Sequence, residues 1–397
     1  MLRNFKDRNF LAIGIIFMSM NVLLGSWFSR LPELQTQLHL SEGRIGRALL
    51  FLPLGALIGT TLTNRYAAKF PAGKRSGIGI LVFCFVAFML SFAWDFTSLC
   101  VGLFTLGLLD GLTNVSMNTA ANDLELLRKR KLLSGCHGMF SLGGFLGAIW
   151  GAAFAALRLS MSWQLGLAGL CLALLILQFR RQLFQPAFRQ KRLVQEGVSR
   201  RAPRLNMRYL GLLAVIGFCV MIAEGAISDW STLYLRNELG TPSFAAPLGF
   251  GLFSFAMAFG RFSGDSLRNR FGPLQILGGG SILAASGLLL AILWTAPTLA
   301  ILGFGLTGLG LSIQVPVLFG MAARTTEPRP SRGITIIANA GITGFLLAPP
   351  GIGLLSETYS IRLSLGLVAL LIVLATWLTR ALRLCHSTVA IQDQTNS

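Results

Sequence analysis

Leu165-Gly166-Leu167-Ala168-Gly169-Leu170-Cys171-Leu172-Ala173-Leu174-Leu175-Ile176-Leu177 is apolar at every position. A membrane strand would need only about ten residues with strict alternation. This run is continuous, so it reads as a helix that meets lipid or protein on all sides. A hydrocarbon core roughly 30 Å thick needs about 20 such residues per crossing, and comparable runs recur almost end to end. Spans are expected near 10–31, 44–64, 76–93, 98–120, 134–156, 163–180, 208–229, 244–264, 274–293, 298–323, 333–355 and 362–381. Met1 to Asn9 lead into the first run without a small-residue cleavage site, so that segment is expected to remain as a helix. Of 397 residues, 53% are hydrophobic and 12% charged, against roughly 25% charged in a soluble domain. Most of this surface has lipid as its solvent.

A net charge of +19 raises the question of nucleic acid, and the placement of the charges answers it. Of the 34 Lys and Arg, 28 fall at one set of alternate loops and the two ends. The other set holds only Arg30, Arg44, Arg47, Arg158, Arg236 and Arg362. That asymmetry is the positive-inside bias. It predicts an even number of crossings, both termini cytoplasmic and no nucleic-acid partner. The six Cys are scattered singly and the three His are apart, so neither a disulfide framework nor a metal site is expected. No phosphate-cradling loop is present and no cofactor is expected.

The longest polar interruption, Arg180 to Arg208, divides the chain six spans to six. The expected organisation is an N-terminal bundle (1–180), a basic cytoplasmic linker (181–207), a C-terminal bundle (208–383) and a cytoplasmic tail (384–397). Such a linker is suited to anionic inner-leaflet lipid. The halves repeat at an offset of about 200. Gly144-Phe145-Leu146-Gly147-Ala148-Ile149-Trp150-Gly151 matches Gly344-Phe345-Leu346-Leu347-Ala348-Pro349-Pro350-Gly351 at five of eight positions. Gly59 followed by Asn64 and Arg65 answers to Gly260 followed by Asp265 and Arg268. Two like halves are what alternating access requires.

Gly260-Arg261-Phe262-Ser263-Gly264-Asp265 through Arg270-Phe271-Gly272 resembles the loop signature of the major facilitator superfamily, and the first copy has Asn64 where an Asp is usual. Asn114-Val115-Ser116-Met117-Asn118, His137 through Gly144, Glu224 through Trp230 and Val315 through Gly320 resemble a bacterial inner-membrane permease branch distantly similar to the fucose:proton symporters. The resemblance implies an all-α fold of twelve transmembrane helices in two six-helix halves, a transport function and an inner-membrane location.

A charge at the bilayer centre costs roughly 2.5–3.5 kcal/mol on insertion scales, so the few central acids should face the protein interior. Asp110 is the most central, with Asn114 and Asn118 at i+4 and i+8 on one helical face. A carboxyl there either exchanges a proton as access alternates or hydrogen-bonds a neighbouring helix. An Asp is usual in the family at the position of Asn114; here the carboxylate stands one turn earlier. Glu224 in helix 7 is a second proton-coupling or gating candidate, and Asp229 either a gate or a solvated helix end. Trp230 and Tyr234 fall at the interface level. His137 is a third coupling candidate, expected near Asn118, Asp123 or Glu125, or else a structural hydrogen-bonding group. Asn64, Arg65, Arg261, Asp265, Arg268 and Asp229 are the gating candidates.

Asn21, Asn114, Asn118, Gln314, Asn339 and Thr343 offer uncharged groups suited to hydroxyls. Arg30, Arg44, Arg47 and Arg261 fall at expected span ends, where snorkelling accounts for them. With no cation at mid-span, a neutral solute is expected. Pro53, Pro316, Pro349 and Pro350 should interrupt helices. The expected protein is a monomeric secondary transporter, not an enzyme, that carries a neutral hydroxylated solute together with protons. Proton-driven efflux of hydrophobic or cationic compounds and a non-transporting solute sensor are the rivals.

Overall fold

The computed structural model describes residues 6–66, 70–184, 207–326 and 330–395; the side chains of Asn64, Tyr66, Asp265, Asn269 and 383–395, and the linker at 185–206, lie outside that description. Helices account for the described architecture. The first half holds α1 (Arg8–Phe28), α2 (Leu31–Gln37), α3 (Glu42–Leu49), α4 (Phe51–Tyr66), α5 (Ala72–Leu90), α6 (Phe96–Arg128), α7 (Leu133–Ala156), α8 (Met161–Gln178) and α9 (Arg180–Leu183). The second holds α10 (Met207–Leu233), prolonged by a π turn over Tyr234–Glu238, then α11 (Leu248–Arg270), α12 (Pro273–Leu293), α13 (Pro297–Leu311), α14 (Gln314–Thr325), α15 (Pro330–Thr358) and α16 (Ile361–Thr395).

Among the described residues, eleven spans are long and apolar enough to cross a bilayer, two of them formed by α3 with α4 and by α13 with α14. α11, 23 residues long and carrying Arg261, Arg268 and Arg270, is the twelfth crossing helix. The expected twelve-helix, two-half fold is therefore present. Below, "inner" means the side of the basic loops.

Local chemistry sets the helix ends. Ser41, Asp95 and Ser160 cap α3, α6 and α8 through their side-chain oxygens, and Asp95 with Ser98 forms a reciprocal capping box. Pro53 and Pro316 do interrupt their spans. Each lies just beyond a break, at Leu50 and at Ser312–Ile313, where the missing N–H leaves a carbonyl four residues earlier without its helical partner. Pro349 and Pro350 do not interrupt: α15 continues through both to Thr358, held there by α3 and α10.

Lipid supplies no hydrophobic force between helices, so small residues and close backbones hold the bundle. Gly143 and Gly147 set α7 directly on the carbonyls of Met18 and Val22 in α1. The neighbours repeat between halves. α1 packs on α7, α4 on α6 and α5 on α8, as α10 packs on α15, α11 on α13 and α12 on α16. The sequence match at offset 200 falls on α7 and α15, which occupy equivalent places in this scheme.

The aromatic belt is built by other residues than expected. Trp230 and Tyr234 are both 0% exposed, and the Tyr234 hydroxyl donates to the Ala291 carbonyl at 3.0 Å. Trp94, Trp163, Trp294 and Tyr359 stand exposed at the outer helix ends instead.

Candidate functional site

Asp110 lies 14 residues (110 − 96) from the outer end of α6, Glu224 14 (238 − 224) from the outer end of α10 with its π turn, and Arg261 13 (261 − 248) from that of α11. At a rise of 1.5 Å per residue, each is about 20 Å deep. Counted from the outer helix ends, three ionisable groups thus lie at similar depth inside their spans.

Arg261 corrects the expectation of a membrane without a central cation. The sequence reading ended helix 8 at 264, whereas α11 runs to Arg270 and leaves Arg261 nine residues inside the helix. Too deep to snorkel, it is paired instead. Its Nη2 meets Glu224 Oε1 of α10 at 3.1 Å, and its Nη1 donates to Ser141 Oγ of α7 at 2.5 Å. Ser141 donates in turn to the His137 carbonyl at 3.3 Å, and Ser134 Oγ donates to the Arg261 carbonyl at 3.1 Å. Arg261 therefore ties an acid of its own half to a helix of the other. The two side chains keep 14% and 15% exposure, so the pair lines an accessible space instead of a sealed core. Removing one partner from such a pair costs about 3–5 kcal/mol, because the other is left as an uncompensated charge.

The same seam continues outward. A Cβ added to Gly144 would lie 2.7 Å from Asn21 Nδ2 and 2.8 Å from Ser254 Oγ, so α1, α7 and α11 meet there without room for a side chain. Asn21 is buried, and its amide donates to the Phe140 carbonyl at 2.9 Å. One of its two amide N–H donors is spent on α7.

Asp110 is half-buried on the arc of α6 that also carries the buried Leu103, Leu106 and Met117, so it points inward. Among the described residues it has no hydrogen-bond or ion-pair partner. Asn114 and Asn118 follow toward the inner side on the expected face. Asn118 Nδ2 donates to Asn114 Oδ1 at 2.8 Å and to its carbonyl at 2.9 Å. Asp229 is also half-buried and without a partner among the described residues; the π turn prolongs the helix beyond it, so it is no solvated helix end.

His137 lies near the inner start of α7. Its ring stands edge-on to Phe17 at 5.3 Å, and its charged neighbour is Arg261. Glu125 accepts instead from the Leu132 and Leu133 N–H groups at 2.7 and 3.1 Å, holding the start of α7. Gln314 is 0% exposed, accepts from Ser281 at 3.3 Å and donates to the Gly310 carbonyl at 3.1 Å, so packing occupies both of its ends. Asn339 is exposed 14 residues before Gly353 (353 − 339). At 3.6 residues per turn this displaces it by only about 40° from the face that meets α3. Thr343 is exposed a turn away, its hydroxyl on the Asn339 carbonyl at 2.9 Å.

Of the loop candidates, Arg65 is exposed, and the side chains of Asn64 and Asp265 lie outside the described residues. Arg268 lines a cavity of about 60 Å³ at the inner end of α11, with Phe271, Val317 and Arg324.

Arg30 is not a snorkelling residue either. It is 5% exposed, pairs with Glu33, and donates to Gln164 Oε1 at 2.8 Å and to the Leu159 carbonyl at 2.9 Å. Gln164 passes the link on to the Ser26 carbonyl and hydroxyl at 2.8 and 2.7 Å. This network sits well outward of the central level and braces α1 against α8.

Two seams join the halves. α7 and α11 touch from Ser134 to Ala148, whereas α15 meets the broken second span chiefly through its outer piece, α3. There Gly46 and Gly353 bring the backbones together, and Asn237 Nδ2 donates to Gln35 Oε1 at 2.9 Å across the same rim. The outer side is closed around Gly46 and Gly353. The arrangement sets a partly accessible ion pair, Glu224–Arg261, at the seam between the halves.

Sequence relatives are bacterial. An uncharacterised MFS-type transporter of Yersinia pestis is 28% identical over 90% of this chain and 91% of its own length. The membrane protein MosC of Rhizobium meliloti is 26% identical over 93% of this chain and 89% of its own. The fold is shared with an inward-facing, occupied bacterial homologue of the lysosomal transporter Spinster, at a TM-score of 0.76 and 13% identity over 94% of this chain and 96% of that one. The nucleoside transporter NupG matches at 0.72 and 14% identity, over 94% and 98%. The family model of the Major Facilitator Superfamily matches residues 9–277 and 213–390, nearly the whole described bundle. With its two six-helix halves closed around a polar level at mid-membrane, this multi-pass secondary transporter belongs to the Major Facilitator Superfamily.

Proposed function

We propose that the protein moves a small hydroxylated, sugar-like solute by alternating access, in symport with protons, across a bacterial inner membrane. On this reading it works as a monomer with both termini cytoplasmic. The carrying observation is Asp110: a half-buried carboxyl at mid-membrane, turned inward and unpartnered among the described residues. An ionisable side chain inside a span is costly there and marks a proton or solute pathway. A group of this kind cycles its proton as access alternates. The bonded Asn114–Asn118 pair on the same face of α6 and the exposed Asn339 of α15 would supply donors and acceptors for hydroxyls. Arg261 removes the reason for restricting the solute to neutral compounds.

The test is uptake into proteoliposomes under an imposed proton gradient. The wild type should accumulate hydroxylated solutes. Asp110→Asn should lose accumulation and retain solute exchange at zero gradient. Accumulation by Asp110→Asn equal to the wild type would remove the coupling role. Proton-driven efflux remains the second reading, because Asp110, Glu224 and Asp229 would also suit a cationic solute. It becomes the better account if only lipophilic cations are moved.

A further inference from the structure

The Glu224–Arg261 pair is held in an unusual way. A guanidinium offers a planar fork that a carboxylate fits with two parallel hydrogen bonds. Glu224 takes only Nη2, at 3.1 Å, while Nη1 is given to Ser141 of the opposite half. The acid therefore neutralises Arg261 without filling its fork, and both side chains remain partly accessible.

Resting on the proton-coupled reading above, we infer that Arg261 receives a carboxylate on the transported solute and that Glu224 is its proton-controlled competitor. The solute class is a hydroxylated monocarboxylate, a sugar acid. When Glu224 takes a proton, Arg261 is left as a charge without compensation, and an arriving anion restores neutrality. When the anion leaves, Glu224 releases its proton and closes the pair again. One proton and one negative charge travel together, so the site's charge is the same loaded and empty. The groups facing the pair are few. Arg261 comes from α11 and Ser141 from α7, where His137 is the other titratable neighbour. α1, α12, α13, α15 and α16 carry no ionisable residue at that level, α14 carries Arg324 near its inner end, Asp229 follows Glu224 outward on α10, and the ionisable residue of α6 at similar depth is Asp110. Asn114, Asn118 and Asn339 remain for the solute's hydroxyls.

The experiment is calorimetric titration of the purified full chain with gluconate and glucuronate, beside glucose and inositol, between about pH 5.5 and 7.5. Sugar-acid carboxyls, like peptide α-carboxyls with ordinary pKa values of about 3.3–3.7, stay ionised throughout. The acids should bind, and their affinity should fall by up to about tenfold per pH unit as pH rises, the limit for one linked proton. Glu224→Gln should bind them with no such slope, and at the upper pH at least as tightly as the wild type does at the lower. Arg261→Lys keeps the charge, loses the fork and should weaken binding at least tenfold, its folding checked by an unchanged melting transition. Binding of the neutral sugars alone, no binding of either acid at any pH, or an undiminished slope in Glu224→Gln would each overturn the inference. If neutral sugars are carried under a proton gradient while acids do not bind, the transport reading stands and this one falls. If acids bind with the expected slope but no solute is carried in vesicles, the transport reading fails and the binding site remains.

Discussion

A methyl group at Gly46 should lock the protein open to the outside. A Cβ there would stand 2.5 Å from the Pro349 carbonyl oxygen and 2.8 Å from the Gly353 Cα, both of them backbone atoms. Neither can swing aside as a flexible side chain would, so α3 and α15 must part to admit it. Inserting a methyl into a close-packed contact costs about 1–3 kcal/mol. The cost falls only on the state in which the outer side is closed. A difference of 1–3 kcal/mol moves a two-state equilibrium by roughly 5–150-fold, so Gly46→Ala should deplete the outer-closed state by that factor and slow uptake accordingly. The assay is labelling by a membrane-impermeant maleimide of single cysteines placed on the outer and inner faces of the cavity, after replacing Cys171, the exposed native thiol among the described residues. Outer labelling should rise and inner labelling fall. Gly107→Ala serves as the control. Its Cβ would strike the Leu52 carbonyl inside one half, so it should lower thermal stability and leave the labelling ratio unchanged. A Gly46→Ala protein that labels and transports like the wild type would refute the assignment of this contact as the outer gate.

Gln164→Leu should destabilise the fold by about 1.5–3 kcal/mol, the worth of a buried hydrogen bond to a charged group, because Arg30 is 5% exposed and donates to Gln164 Oε1; a thermal melt in detergent reads it, and a shift within error would discount the network. Asp95, outside the membrane, has its carboxyl held below the ordinary value chiefly by the Ser98 backbone N–H. A depressed folded-state pKa gives stability that is present above the unfolded value, about 3.9, and is lost as pH falls through the folded one. Asp95→Ala should therefore flatten the acid limb of a stability–pH profile, and an unaltered limb would show the cap to be idle.

The loop signature and the repeat at offset 200 were legible because both are local patterns: a Gly-rich helix face and a polar turn each lie within a few residues. The partners of Arg261 were not. A span boundary drawn at 264 made it a helix-end residue, and hydropathy cannot tell that α11 continues to Arg270. The one available signal was the stretch Ser266-Leu267-Arg268, which keeps a helical pattern past the polar turn. Ser141, one helical turn beyond His137, was overlooked because a serine in a membrane helix satisfies itself on its own backbone as readily as it serves a neighbour. Trp230 and Tyr234 were assigned to the interface by depth alone, and depth does not report which way a side chain points.

Composition, run length and the asymmetry of Lys and Arg determined the class of protein, the number of crossings and the division into halves, since the bilayer imposes those on any chain that enters it. Tertiary packing decided everything that depends on rotation about a helix axis: that Asp110 has no partner among the described residues, that Gln314 is sealed in packing, and that Arg261 bridges Glu224 to the other half. A lipid-facing and a cavity-facing position differ by less than half a turn of helix, and only the neighbouring helices select between them.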